Sequence, residues 1–182
     1  CERQGTLFIA DEVLTGFGRT GAFFASASLT HTADIICLSK GITGGTMALG
    51  ATACTEDIFD AFLSDDRKKT FFHGHSYTAN PIACAAGLAS LDLLQKKTCI
   101  EQIQVITKRN ADFLKETLVQ IDPDLIMNPR TIGTVLAFEL KSSRHEYVNL
   151  IGSYIRQEAI KQGIYLRPLG NTVYIMPPYC IS

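Results

Sequence analysis

Short, wholly apolar runs alternate along the chain with glycine-bearing loops, and each run breaks abruptly onto polar residues. Residues 6–11 (TLFIAD) stop on the acid pair Asp11-Glu12, residues 34–38 (DIICL) form a second run, and residues 48–54 (ALGATAC) a third of small side chains. A sheet with one wet face alternates apolar and polar positions. Uninterrupted runs instead suit parallel strands covered on both faces. Thr55 then stands as N-cap before EDIFDAFLSD, whose first-turn acids complement a helix dipole. Asn80 and Pro81 open a helix over 81–96 that is apolar on every face for three turns, the pattern of a buried helix. A further helix, about 99–121, is amphipathic, with Ile100, Ile103, Ile106, Phe113, Leu114, Leu118 and Ile121 along one stripe.

Beyond residue 121 the texture changes. DPDLIMNPRTIGTVLAFEL reads as turn residues followed by strands, and residues 145–162 as a helix stopped by Gly163. IYLRPLGNTVYIMPPY reads as a β-hairpin across Gly170-Asn171. The expected architecture is α/β: part of a mostly parallel sheet with helices on both faces over residues 1–121, then a small α+β domain over 122–182.

Composition narrows the function classes. Hydrophobic residues make up 46% of the 182 positions and the formal net charge is −1, which suits a globular domain with a sizeable core. There is no basic excess of the kind that marks a nucleic-acid partner, and no apolar stretch reaches the roughly 20 residues of a membrane span. The six cysteines show no CxxC or metal-finger spacing and sit mostly in apolar runs, so they read as reduced, buried thiols of a cytoplasmic protein. The chain opens on Cys1 and stops at MPPYCIS, and is read as a piece of a longer one.

The chemistry lies where the apolar runs end. In DIICLSKGITGG a lysine, Lys40, follows a strand and precedes glycines. Burial there would favour a neutral, nucleophilic amine able to form a Schiff base with a carbonyl. Taken alone, SKG more often describes a lysine that reaches from a strand end into water. Residues 12–33 are enough for a crossover, so strands 6–11 and 34–38 can be parallel neighbours that deliver Asp11 and Lys40 to one sheet edge. A lysine amine with a carboxylate for a ring nitrogen is the arrangement pyridoxal 5'-phosphate requires. Adjacent strand residues face opposite sides, so Glu12 should not share the site with Asp11 and should bond the loop TGFGRTG, near Arg19. His73 and His75 flank a glycine with no third ligand in reach of the pattern, a poor metal site.

Three blocks, LFIADEVLTGFGRTG, DIICLSKGITGGTMALGAT and FFHGHSYTANPIACAAG, resemble the signature blocks of class III (ω-) aminotransferases of pyridoxal-phosphate fold type I. Their order and spacing fit as well, with 29 positions from Asp11 to Lys40 and 36 more to Ser76. The resemblance runs essentially end to end. Within the family, SKGITGGTMALGAT and YLRPLGNTVYIMPPY are most similar to the biotin-pathway branch. That branch moves an amino group from S-adenosylmethionine to 7-keto-8-aminopelargonate.

The resemblance implies roles residue by residue. Lys40 matches the cofactor-binding and proton-shuttling lysine, and Asp11 the carboxylate at the pyridine nitrogen. Ser76, with Gly74 in the same turn, matches the hydroxyl that binds the phosphate of the neighbouring subunit's cofactor in a homodimer with shared sites. His75 departs from the Pro often found before that hydroxyl, a tuning change. Arg167 matches the arginine that takes the substrate carboxylate, for which its planar fork is suited, and Tyr174 lies on the same predicted hairpin. Family members are about twice this length or more, and their preceding part supplies the phosphate loop and a ring-stacking aromatic. Other ω-aminotransferases, acting on ornithine, 4-aminobutyrate or diamines, share these blocks. A folded piece without catalytic competence is the alternative of a different class.

Overall fold

The computed structural model describes residues 1–141 and 150–181. They form two compact units, Cys1–Lys96 and Lys97–Ser182. The division falls ahead of the texture change near residue 121, because the long amphipathic helix packs with the strands that follow it.

The first unit is built on a three-stranded sheet, β1 (Ile9–Asp11), β2 (Ile35–Leu38) and β3 (Ala51–Cys54), in that order. β1 and β2 are parallel, with Ile9 opposite Ile35, Ala10 opposite Ile36 and Asp11 opposite Cys37. The Asp34 carboxylate accepts from the Phe8 amide at 2.7 Å and pins the start of both strands. β3 runs antiparallel to β2, so the sheet is mixed rather than mostly parallel among the described residues. The reason is the short connection over residues 39–50. It reverses the chain through a 3-10 turn (Lys40–Thr43), Gly44 (φ +60) and Gly45 (φ +83), and holds no α-helix of the kind that usually carries a parallel crossover.

α1 (Glu56–Asp60) is a single short helix, and the Thr55 side chain makes no capping bond to it. α2 (Pro81–Leu94) begins as the sequence predicts, with Pro81 in the first turn and the Asn80 side chain accepting from the Ile82 amide at 2.9 Å. Its expected burial is not met within this chain: Ala83 is fully buried, while Ile82, Leu88 and Leu93 are exposed. One face of α2 packs on the turn after β2, and the residues of this unit supply no layer over its other faces. The cysteines depart likewise: all six are free, Cys1, Cys54, Cys84 and Cys180 are exposed, and Cys37 and Cys99 are half-buried.

The second unit is led by α3 (Lys97–Glu116), which turns Ile103 and Ile106 inward. It is followed by β4 (Ile126–Ile132) and β5 (Val135–Leu140), an antiparallel pair, and by α4 (Leu150–Lys161). The predicted helix start at residues 145–149 lies outside the described residues. Gly163 (φ +76) ends α4 as a left-handed C′ residue, with its amide donating to the Ile160 carbonyl at 2.9 Å and the Ile164 amide to that of Ala159 at 2.8 Å. β6 (Thr172–Ile175) pairs antiparallel with β5, and the central strand carries the buried Leu136. Only half of the expected hairpin forms: Leu169 and Thr172 bridge across Gly170-Asn171, but residues 164–168 are not a strand.

Candidate functional site

Lys40 stands where β2 leaves the sheet. Ser39 before it is extended, and its hydroxyl donates to the Leu49 carbonyl at 2.8 Å. Lys40 itself has φ +44 and begins a 3-10 turn, Lys40–Thr43. For a long side chain that left-handed conformation is costly, on the order of 1–3 kcal/mol, and persists only where neighbours impose it. Those neighbours are present. The Thr43 hydroxyl is buried and donates to the Met47 carbonyl at 2.6 Å. From α2, the Ser90 hydroxyl donates to the Gly41 carbonyl at 3.3 Å. Lys40 is exposed within this unit, so the desolvation invoked from its sequence setting is not supplied by these residues.

Asp11 is the last residue of β1. Its Oδ1 accepts from the Val13 amide at 3.0 Å, and the carboxylate is otherwise exposed. The parallel register sets it opposite Cys37, three residues before Lys40. Lys40 and Asp11 therefore both emerge at the carboxyl ends of adjacent parallel strands, where open α/β sheets bind ligands.

Glu12 goes the other way, as alternation requires, and is 2% exposed. Its Oε2 accepts from the Thr15 hydroxyl at 2.5 Å and the Ala25 amide at 3.2 Å, and its Oε1 from the Ser26 amide at 2.6 Å. Burial alone would raise its pKa, but these bonds from Thr15, Ser26 and Ala25 outweigh it and hold the carboxyl below its ordinary value.

Ser76 and Gly74 are exposed, in the turn that leads into α2. The Tyr77 amide donates to Nδ1 of His75 at 3.1 Å, and the His75 amide donates to the Thr78 hydroxyl at 3.0 Å. This turn stands ahead of the start of a 14-residue helix, the end whose free amides favour an anion. In the second unit, Arg167 is exposed on the irregular stretch before the Leu169–Thr172 bridge, and Tyr174 sits on β6 opposite Ala137. Sequence reasoning passed over Phe17 and Ser90. Their signals are faint: a phenylalanine between two glycines, and one hydroxyl in a mostly apolar helix.

An exposed amine and an exposed carboxylate thus stand at the carboxyl ends of adjacent parallel strands, and a hydroxyl-bearing turn stands ahead of a helix start in the same unit. The family Aminotransferase class-III matches residues 1–182, and the chain belongs to it. It is 48% identical over 181 residues to the adenosylmethionine-8-amino-7-oxononanoate aminotransferase of Synechococcus elongatus, covering all of this chain and 42% of that protein. It is 42% identical to the enzyme of the same name from Geobacter sulfurreducens, covering 41% of it. The crystal structure of the Methanocaldococcus jannaschii enzyme of that name superposes with a TM-score of 0.90 at 34% identity, over the whole of this chain and 43% of that one. An amine transaminase from an uncultivated Pseudomonas species, solved in its PLP-bound (internal aldimine) form, superposes with a TM-score of 0.87 at 32% identity and 42% coverage. The fold is thus α/β, of pyridoxal-phosphate fold type I, in a family that uses pyridoxal 5'-phosphate. The chain spans about two fifths of the length of the curated relatives it matches. Among the described residues no helix is long and apolar enough to cross a membrane.

Proposed function

We propose that this chain carries the lysine-bearing part of a pyridoxal-phosphate aminotransferase that converts 7-keto-8-aminopelargonate to 7,8-diaminopelargonate with S-adenosylmethionine as amino donor. One observation supports the transaminase chemistry above others: the parallel pairing of β1 and β2, which gives Asp11 and Lys40 a common sheet edge. The substrates are supported by the names of the relatives matched at 48% and 42% identity. Similarity to an ornithine δ-aminotransferase is lower, at 28% identity with a TM-score of 0.82.

In this reading the bound cofactor supplies an electron sink for the carbanion formed at the substrate's Cα. Lys40 would hold the cofactor through its amine, and that amine, when free, would serve as the base for the proton at the substrate's Cα. Asp11 would accept a hydrogen bond from the ring nitrogen and keep it protonated. Ser76 would donate to the phosphate across a homodimer interface, with Gly74 leaving room beside it. Arg167 takes the carboxylate of the keto substrate with two charge-assisted bonds, and Tyr174 adds a ring and a hydroxyl at that end.

The test is amino transfer by the full-length protein, with borohydride trapping and peptide mapping. The expected result is a cofactor label on Lys40 and turnover of 7-keto-8-aminopelargonate with S-adenosylmethionine. A label on another residue would overturn the assignment of Lys40. Turnover with ornithine or 4-aminobutyrate instead would replace the substrates and leave the chemistry. The 182-residue chain alone, incubated with pyridoxal phosphate and then freed of unbound cofactor, keeps a borohydride-trappable label on Lys40 above that on the exposed Lys68 and Lys69 only if it holds the cofactor unaided.

A further inference from the structure

Behind Lys40 lies a packed chain of contacts that the proposed chemistry does not use. Gly41 has no room for a side chain: a Cβ there would stand 2.9 Å from both Cβ and Cδ2 of Phe17. Phe17 is buried and is itself left-handed, at φ +60. It is buttressed edge-on by Phe23 and Phe24, with ring centroids 5.9 and 5.7 Å away. Phe24 directly precedes Ala25 and Ser26, whose amides are the ones that the Glu12 carboxylate holds. The turn before Phe17 is equally tight, since a Cβ on Gly16 would stand 2.9 Å from the Glu12 carbonyl. On its other side, Gly41 is gripped through its carbonyl by Ser90.

We propose that residues 12–26 form a positioning device for Lys40, in which Glu12 anchors the loop and Phe17 wedges against Gly41 to fix the left-handed backbone from which the Lys40 amine is aimed. A non-glycine residue relaxes out of that conformation unless its surroundings over-determine it, and the Phe17 and Ser90 contacts on Gly41 do so. Neither Glu12 nor Phe17 is a catalytic residue in this account. Both act through the backbone of residues 40 and 41. The inference rests on the reading of Lys40 as the cofactor-binding amine.

The test uses the full-length protein and two readouts other than turnover. One is the pyridoxal phosphate concentration that gives half-maximal borohydride trapping on Lys40. The other is reductive methylation of Lys40 without cofactor, referenced to the exposed Lys68 and Lys69. Gly41→Ala should raise the half-trapping concentration about tenfold, equivalent to ~1.4 kcal/mol at 25 °C, and leave methylation within about twofold. The amine is then present but misdirected. Adding Phe17→Ala to Gly41→Ala removes the clash and should recover most of the loss, which a general destabilisation would not do. Unchanged trapping in Gly41→Ala, or a double variant worse than the single, overturns the proposal. Should Gly41→Ala not fold, Phe17→Leu probes the same contact, and unchanged trapping there overturns it as well. If wild-type protein traps the cofactor on a residue other than Lys40, the functional reading fails. That result is told apart from a failed wedge, in which Lys40 is labelled in every variant alike.

Discussion

Replacing Glu12 by Gln separates charge from shape at a buried carboxylate. The Thr15 hydroxyl and the Ala25 and Ser26 amides donate to it, and the Ser26 side chain adds to the set. A glutamine can turn its oxygen to the Oε2 position and keep Thr15 and Ala25. Its amide nitrogen then faces the Ser26 N–H, donor against donor, where the wild type has a 2.6 Å bond. Losing one charge-assisted bond and leaving a buried donor unsatisfied costs about 2 kcal/mol. That cost is local, because Glu12 ties the start of the loop to its end. The assay is hydrogen exchange of the Ala25 and Ser26 amides in the full-length protein, read by mass spectrometry. A 2 kcal/mol loss makes local opening about 30-fold easier, and exchange accelerates by that factor. The pH dependence has a fixed sign. The folded-state pKa of Glu12 lies below its ordinary value, so its contribution is fully present above about 4.3 and disappears as pH falls through the folded value. The gap between wild type and Glu12→Gln should therefore be widest at neutral pH and narrow in acid. Equal exchange at pH 7, or a gap that persists unchanged in acid, would refute the reasoning.

Other outcomes follow from the same geometry. Lys40→Ala in the full-length protein should abolish turnover and cofactor trapping, and wild-type turnover in that variant would remove Lys40 from the mechanism. Arg167→Ala should raise KM for the keto acid by about 10- to 100-fold with kcat less affected, the loss of charge-assisted bonds of about 1.5–3 kcal/mol, and an unchanged KM would strike Arg167 from the substrate site. Gly152→Ala should lower the melting temperature even though Gly152 lies within α4, where alanine alone is worth about 1 kcal/mol over glycine. A Cβ there would stand 2.6 Å from the Gly170 carbonyl, a backbone atom with no rotamer to retreat into, and a raised melting temperature would disprove the contact.

Much was legible in the chain because its signals are local. The apolar runs gave β1, β2 and β3 to within a few residues, Asn80-Pro81 gave the start of α2, and Gly163 gave the end of α4, each set by backbone rules that span a turn or less. The opposed faces of Asp11 and Glu12 came from strand alternation alone, and the structure has one exposed and the other buried. Family membership was equally legible, since three blocks hold fixed residue types at fixed separations.

What the sequence could not decide was anything that needs a partner far along the chain. The direction of β3 depends on how residues 39–50 turn, and no run of apolar residues encodes a direction. The exposure of α2 and of four cysteines depends on which layers lie over them, whereas composition records only that they are apolar. The left-handed backbone at Lys40 is a property of Phe17, Gly41 and Ser90 together, drawn from three separate segments. Chemistry-bearing residues are written in short motifs because each must be a particular residue type. The conformation that aims them is written nowhere in particular, because it is enforced by packing, and packing exists only once the chain is folded.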